Sequence, residues 1–214
     1  MASTRTPKPT TVLLVRHGTT PTTGKVLPGR APGLHLGDLG RAQAEVVADR
    51  ISTLAAVHAV YASPLERARE TAAPIAKACG LRVRRDAGLT ECDFGDWTGR
   101  QISTLARRND WQTVQRAPSM FTFPGGESFA GMQLRITESI ARLCAAHPGE
   151  TIVAVSHADT IKAAAAAALG TPLDLFQRIV ISPCSITAVR YSTTGPVVLA
   201  VNSTGADLVR SIPT

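Results

Sequence analysis

Thr11-Val12-Leu13-Leu14-Val15-Arg16-His17-Gly18 decides the fold. The first five residues are apolar or β-branched and too few for a helix. They predict a strand buried on both faces. Charge and glycine end the run at Arg16-His17-Gly18. Thr151-Ile152-Val153-Ala154-Val155 repeats the pattern and ends at Ser156-His157. Val57–Tyr61 predicts another strand, Leu81–Arg85 a short one, and Ser185–Tyr191 and Val197–Asn202 two final ones. Helical stretches separate them. One opens at Asp38, read as its cap, and runs through Ala-rich sequence. A second opens at Ser63-Pro64, with Ser at the cap and Pro in the first turn. A third opens at Glu127 or Ser128 and runs to about Ala146. The last follows His157 to Leu169 and closes at Gly170. Strands alternating with helices, with the strongest strands wholly apolar, predict an α/β fold. The expectation is a three-layer α/β/α sandwich around a mostly parallel sheet.

Residues 1–10 read as a flexible tail, and residues 11–214 as one domain. Within it, residues 88–100 read as a polar, glycine-interrupted loop. Residues 100–130, punctuated by Pro118, Pro124 and Gly125-Gly126, read as a lid or insertion. Its Trp111, Phe121 and Phe123 suggest a partly apolar lid.

The 214 residues are 44% hydrophobic and 18% charged, ordinary for a globular protein, which excludes gross disorder. Aromatics are only 4%, which argues against a surface that stacks several bases. The net charge of +7 fits an anionic small substrate. The basic residues are spread along the chain, with Arg82, Arg84 and Arg85 the densest cluster, and no nucleic-acid partner is expected. Cys79, Cys92, Cys144 and Cys184 form no CxxC pair and read as reduced, mostly buried thiols. The opening MASTRTPKPT has no apolar signal core, and no run of 18 apolar residues occurs. A cytoplasmic protein without a membrane partner is expected.

The chemistry sits where strands end. In open α/β sheets, ligands gather outside the carboxyl ends of strands. Arg16, His17 and His157 share that address. Arg67 lies in the first turn of a helix starting there, where free N–H groups also favour an anion. Two Arg, two His and a helix start describe a phosphate pocket, since guanidinium forks match phosphate oxygens.

Val15-Arg16-His17-Gly18-Thr19-Thr20 resembles the RHG signature of the histidine phosphatase (phosphoglycerate mutase-like) superfamily. Leu39-Gly40-Arg41-Ala42-Gln43-Ala44 resembles its L-x-x-G-x-x-Q-A segment, slightly shifted. Ser63-Pro64-Leu65-Glu66-Arg67-Ala68-Arg69-Glu70-Thr71-Ala72 resembles its S-x-x-x-R-A-x-x-T-A helix, and Glu91 to Gly99 its E-x-x-[FY]-G-x-W-E-G stretch. Phe123 to Ser128 resembles the lid-to-helix junction, Ser156-His157 the second histidine motif, and Cys184 to Thr187 a late strand. The resemblance implies a phosphoglycerate mutase-like fold and a nucleophile at His17 that forms a phosphohistidine. It implies phosphoryl binding by Arg16, Arg67 and His157. Glu91 would be general acid and then base, with Asp93 the alternative. No metal or cofactor is implied. A phosphorylated small molecule is the expected partner, and an isologous homodimer the default assembly.

Thr23 lies where the family often has Asn against phosphate; it is a phosphate contact or a plain loop residue. Thr19 replaces a common Glu. Ala158 replaces the usual glycine after the second histidine and is expected against the substrate, and Asp159 brings a negative charge close to the site. Lys25 and Arg30 are candidate contacts to an acidic substrate, or solvated loop charges. His35, His58 and His147 read as surface or turn residues. The leading expectation is a phosphomonoesterase. A phosphoglycerate mutase-type phosphomutase is the alternative, and a non-catalytic phospho-ligand-binding or regulatory protein is the reading from another class.

Overall fold

Val12, Leu13, Leu14 and Val15 are fully buried, and the strand they form is central. The computed structural model describes residues 8–205. Strand β1 (Thr10–Arg16) pairs in parallel with β4 (Thr151–Ser156) on one side. On the other side it pairs antiparallel with β5 (Ile186–Ser192). Strands β2 (Ala59–Ala62) and β3 (Val83–Arg85) extend the parallel part, and β6 (Gly195–Ser203) closes the antiparallel edge. The order is β3-β2-β4-β1-β5-β6. The sheet is thus mixed, with its four parallel strands contiguous.

Because successive side chains alternate faces, β1 feeds two cores. Leu13 and Val15 pack with Val47, Ile51 and Ile75 of helices α1 (Asp38–Ser52) and α2 (Glu66–Ala78). Val12 and Leu14 face the other way, in the same core as Ile136, Ile140 and Ile161. The expected three-layer α/β/α sandwich is the observed fold.

Between α2 and the later helices lie α3 (Ile102–Leu105) and α4 (Asn109–Arg116), short and flanked by 3-10 turns. Helices α5 (Phe129–Ala146) and α6 (Ala158–Leu169) complete the second layer. The stretch read as a polar loop is largely interior: Leu89, Cys92, Phe94 and Trp97 are buried. Its 3-10 turns have no period to betray this. The aromatics assigned to an apolar lid are also core. All five Phe and both Trp form one cluster, with Phe121–Phe123 centroids 4.9 Å apart and Trp97–Trp111 stacked at 6.2 Å.

Residues 1–7 of the expected tail lie outside the described residues, as do residues 206–214. Thr10 belongs to β1, and its hydroxyl donates to the His147 carbonyl at 2.7 Å. Two helix starts also differ. Gly37, not Asp38, caps α1, and Asp38 pairs with Arg41 in the first turn. Leu65 precedes α2, because Ser63 still donates its N–H to Val155 of the sheet. Ser128 caps α5, accepting the Gly131 N–H at 2.9 Å. All four cysteines are unpaired thiols, with Cys92 and Cys184 buried. Among the described residues no helix is long and apolar enough to cross a membrane.

Candidate active site

Each parallel strand delivers a polar residue at its carboxyl end. Arg16 and His17 leave β1, and His157 leaves β4. The two ends are tied by the His17 N–H bonding to the Ser156 carbonyl at 3.0 Å. The His17 and His157 rings lie 5.1 Å apart. From β2 the chain passes through Ser63 into α2, whose first turn carries Arg67, fully buried. From β3 it reaches Glu91. Arg16, His17, Thr23, Glu91 and Ala158 line one cavity of about 360 Å³, together with Asp159 and Lys162. Arg67 is an electrostatic neighbour of His17, His157 and Glu91 from its buried position.

The hydrogen bonds define proton positions. His17 Nδ1 lies 2.7 Å from the Gly18 carbonyl. A carbonyl only accepts, so Nδ1 carries the hydrogen and Nε2 keeps its lone pair. Burial, then Arg67, then Arg16 push His17 down to about 3, so the ring is neutral. His157 is displaced in the same direction, by burial first and then by Arg67. Its Nε2 lies 2.8 Å from the Ser63 hydroxyl. Ser63, read from sequence as a helix cap, is instead the support of this imidazole.

At this site four buried nitrogens have no partner among the described residues: Arg16 Nε, Arg67 Nε and Nη1, and His157 Nδ1. Buried N–H groups are seldom left unpaired. Arg67 is anchored by Nη2 on the Gly29 carbonyl at 2.8 Å, and Arg16 by Nη1 on the Ile181 carbonyl at 2.6 Å. Each guanidinium is thus fixed at one corner with donors to spare.

Glu91 is buried, and its carboxyl is raised above the usual range by burial first and then by the Asp159 carboxylate. Its Oε1 accepts the Cys92 N–H at 3.0 Å and lies 3.1 Å from the Thr160 hydroxyl. Asp93, the alternative proton carrier, does not line the cavity. It accepts the Gly95 N–H at 3.1 Å and sits 3.7 Å from Arg30.

Sequence reading missed the clamp behind Glu91. Arg30 Nε donates to the Glu91 carbonyl at 2.8 Å, and Arg135 to the Gly88 and Thr90 carbonyls at 2.7 and 2.8 Å. Glu127 joins the two arginines at 3.0 and 2.9 Å. Arg30 is therefore neither a solvated loop charge nor a lining residue. Thr23 lines the cavity, but its Oγ1 accepts the Thr20 N–H at 2.9 Å. His147, read as a surface or turn residue, is buried between Glu150 at 2.5 Å and the Tyr61 hydroxyl at 2.9 Å; His35 pairs with Glu70. Among the described residues no three His, Cys, Asp or Glu side chains are grouped to hold a metal ion.

A family profile described as "Histidine phosphatase superfamily (branch 1)" matches residues 12–204. The chain is similar to "Bifunctional protein Rv2228c" of Mycobacterium tuberculosis, with 33% identity over 202 residues covering 92% of this chain and 55% of that protein. It thus spans about half the length of the first curated relatives it matches. It is also similar to "Phosphoserine phosphatase 1" of Hydrogenobacter thermophilus, with 29% identity covering 82% of this chain and 85% of that protein. Among solved structures, a phosphoserine phosphatase of Entamoeba histolytica bound to phosphoserine superposes with a TM-score of 0.82 at 28% identity. It covers 93% of this chain and 100% of that one.

Proposed function

The chain belongs to the histidine phosphatase superfamily, and from that premise we propose that it is a metal-independent phosphomonoesterase working through a phosphohistidine at His17. The observation that carries the reading is the neutral His17 ring, with Nε2 free, beside three buried guanidinium N–H groups and the His157 Nδ1, none with a protein partner among the described residues. A phosphoryl dianion supplies the acceptors those donors need.

In the first step Nε2 of His17 attacks phosphorus in line. The phosphorus–oxygen ester bond breaks, and its electron pair leaves on the alcohol oxygen. Arg16, Arg67 and the His157 Nδ1–H hold the equatorial oxygens as charge spreads over them. Ser63 donates its hydroxyl hydrogen to His157 Nε2, which leaves the other ring nitrogen as the donor. Glu91, its proton held more tightly through burial and Asp159, gives that proton to the leaving oxygen. In the second step the Glu91 carboxylate takes a proton from water, whose oxygen attacks phosphorus. The phosphorus–nitrogen bond breaks, inorganic phosphate departs, and neutral His17 returns. The Ala158 amide in the first turn of α6 and the Thr23 hydroxyl are further contacts to the phosphoryl group or its ester oxygen.

The test is phosphate release from phenyl phosphate with chelator present, across pH 5 to 8, with His17→Ala alongside. Turnover that survives chelator, accumulates an acid-labile phosphoenzyme and vanishes in His17→Ala is expected. Transfer from a bisphosphate to an acceptor alcohol without net hydrolysis would favour a phosphomutase. Binding of inorganic phosphate with no turnover of any ester would favour a ligand-binding protein.

A further inference from the structure

The phosphoryl half of the cavity leaves its other walls without a role. One wall is Val26 and Leu27, from the loop after β1, with Ile102 at the start of α3. A second is Ile179, Val180 and Ile181, after the 3-10 turn Leu173–Arg178. Both are held in place. Leu27 N–H bonds to the Arg100 carbonyl and Ile102 N–H to the Lys25 carbonyl, both at 2.9 Å, zipping the first wall together. The Ile181 carbonyl accepts from Arg16, which couples the second wall to the phosphate end. Val180 is 65% exposed, a large apolar side chain at the cavity's edge.

The polar groups on this side are occupied with one another. Asp159 pairs with Lys162 at 3.2 Å, and Lys162 also donates to Gln177 Oε1 at 3.0 Å. Asp159 and Lys162 cancel in charge, so this half presents no uncompensated lysine or arginine to a carboxylate. A polyol or acidic leaving group would give up water here for apolar side chains and committed partners, which costs affinity. A hydrocarbon group would gain from the same walls.

We infer that the substrate is a phosphomonoester of an alkyl or aryl alcohol, its hydrocarbon group held between the Val26–Leu27–Ile102 and Ile179–Val180–Ile181 walls. The inference rests on the phosphomonoesterase reading and narrows it to a substrate class.

The experiment measures kcat/KM for n-alkyl phosphates from ethyl to pentyl, with glycerol 3-phosphate and 3-phosphoglycerate as polar counterparts of propyl phosphate. Phenyl phosphate is the positive control. The expected rise is about fourfold per methylene, with both polar esters at least tenfold below propyl phosphate. In Val180→Asn and Val26→Asn the pentyl-to-ethyl ratio is expected to fall severalfold; Val180 is exposed enough that its variant keeps the fold. A flat series, a preference for either polar ester, or a ratio unmoved in both variants overturns the inference while leaving phosphoester hydrolysis standing. No release from any ester, phenyl phosphate included, overturns both.

Discussion

Gly40→Ala tests whether the first turn of α1 sets the position of the nucleophile. A methyl group on Gly40 would lie 2.0 Å from the Thr19 carbonyl oxygen and 2.9 Å from the Thr19 nitrogen and carbonyl carbon. Gly18 meets the same helix from the other side: a methyl there would lie 2.5 Å from the Gly40 oxygen. The docking is reinforced by Gly37 N–H to the Thr19 carbonyl at 3.0 Å and Thr19 N–H to Gln43 Oε1 at 2.9 Å. Alanine favours a helix interior over glycine by about 1 kcal/mol. Against that gain, helix and loop must part by about 1.4 Å before the contact becomes ordinary, an overpacking that costs about 1–3 kcal/mol. The two hydrogen bonds it loosens contribute about 1 kcal/mol each. The clash wins, with a net loss of about 2–4 kcal/mol, or roughly 5–15 °C in Tm for a chain of this length. Thr19 is two residues from His17, so the displacement reaches the attacking ring. A misplacement near 1 Å costs about a hundredfold in rate. Thermal melts and kcat/KM on phenyl phosphate read both effects. Unchanged Tm and kcat/KM would refute the close-docking argument; lost stability with intact kcat would show that the contact holds the helix but not the nucleophile.

Three further outcomes are expected. Asp159→Asn removes the carboxylate that helps burial hold the Glu91 acid up. The Glu91 pKa then falls, and the alkaline limb of the kcat/KM profile moves to lower pH; an unmoved limb would take Asp159 out of the acid's control. Arg67→Lys keeps a positive charge but loses the fork whose Nε and Nη1 are unpaired in the protein, and kcat is expected to drop about 10²–10³-fold, a wild-type kcat being the contrary result. His17 is held down to about 3 by burial and by Arg67 and Arg16, so the unfolded chain binds its proton more readily. Its contribution to stability is complete above the ordinary pKa near 6.5 and fades as pH falls from there toward 3, at about 1.4 kcal/mol per pH unit. His157 adds in the same direction and Glu91, raised by burial, opposes. Urea midpoints at pH 7, 6 and 5 should fall, and fall less in His17→Ala; the same fall in both proteins would take His17 out of the pH dependence.

What the sequence disclosed follows physical lines. Val12–Val15 and Ile152–Val155 were legible because a strand buried on both faces admits no polar residue, so the charges that end it stand out. Arg16, His17, Arg67, Glu91 and His157 converge because parallel strands send their carboxyl ends to one edge. The resemblance of ordered motifs, rather than periodicity, assigned Glu91 its place. The Glu91 clamp was illegible for a different reason. Arg30 reaches Glu91 across 61 positions and Glu127 across 97, and no local pattern links them. Leu39, matched to the family's leucine, is 62% exposed, whereas Leu36, three residues earlier, is buried. Trp111, Phe121 and Phe123 misled because aromatic content says nothing of which side of a segment faces the substrate. The cavity's apolar walls come instead from isolated aliphatics in loops, where period carries no information.

Glu91 also bears on why two buried guanidiniums are left without a counterion from the protein itself. Arg16 and Arg67 both have their proton affinity lowered by burial, which opposes their charge. An ionised Glu91 would be their natural counterion, yet burial and Asp159 favour its neutral form, and Asp159 is itself matched by Lys162. The local charge is therefore left positive, in a place where Coulomb interactions are strong. That arrangement destabilises the folded chain and favours a dianion by the same interaction. It follows that inorganic phosphate should raise Tm by an increment that grows with the logarithm of its concentration above the dissociation constant, and that Arg67→Met, which removes one guanidinium, should weaken this rise even if it leaves the free protein no less stable. Loss of stability in the free variant with an undiminished phosphate response would place the cationic character of the site elsewhere.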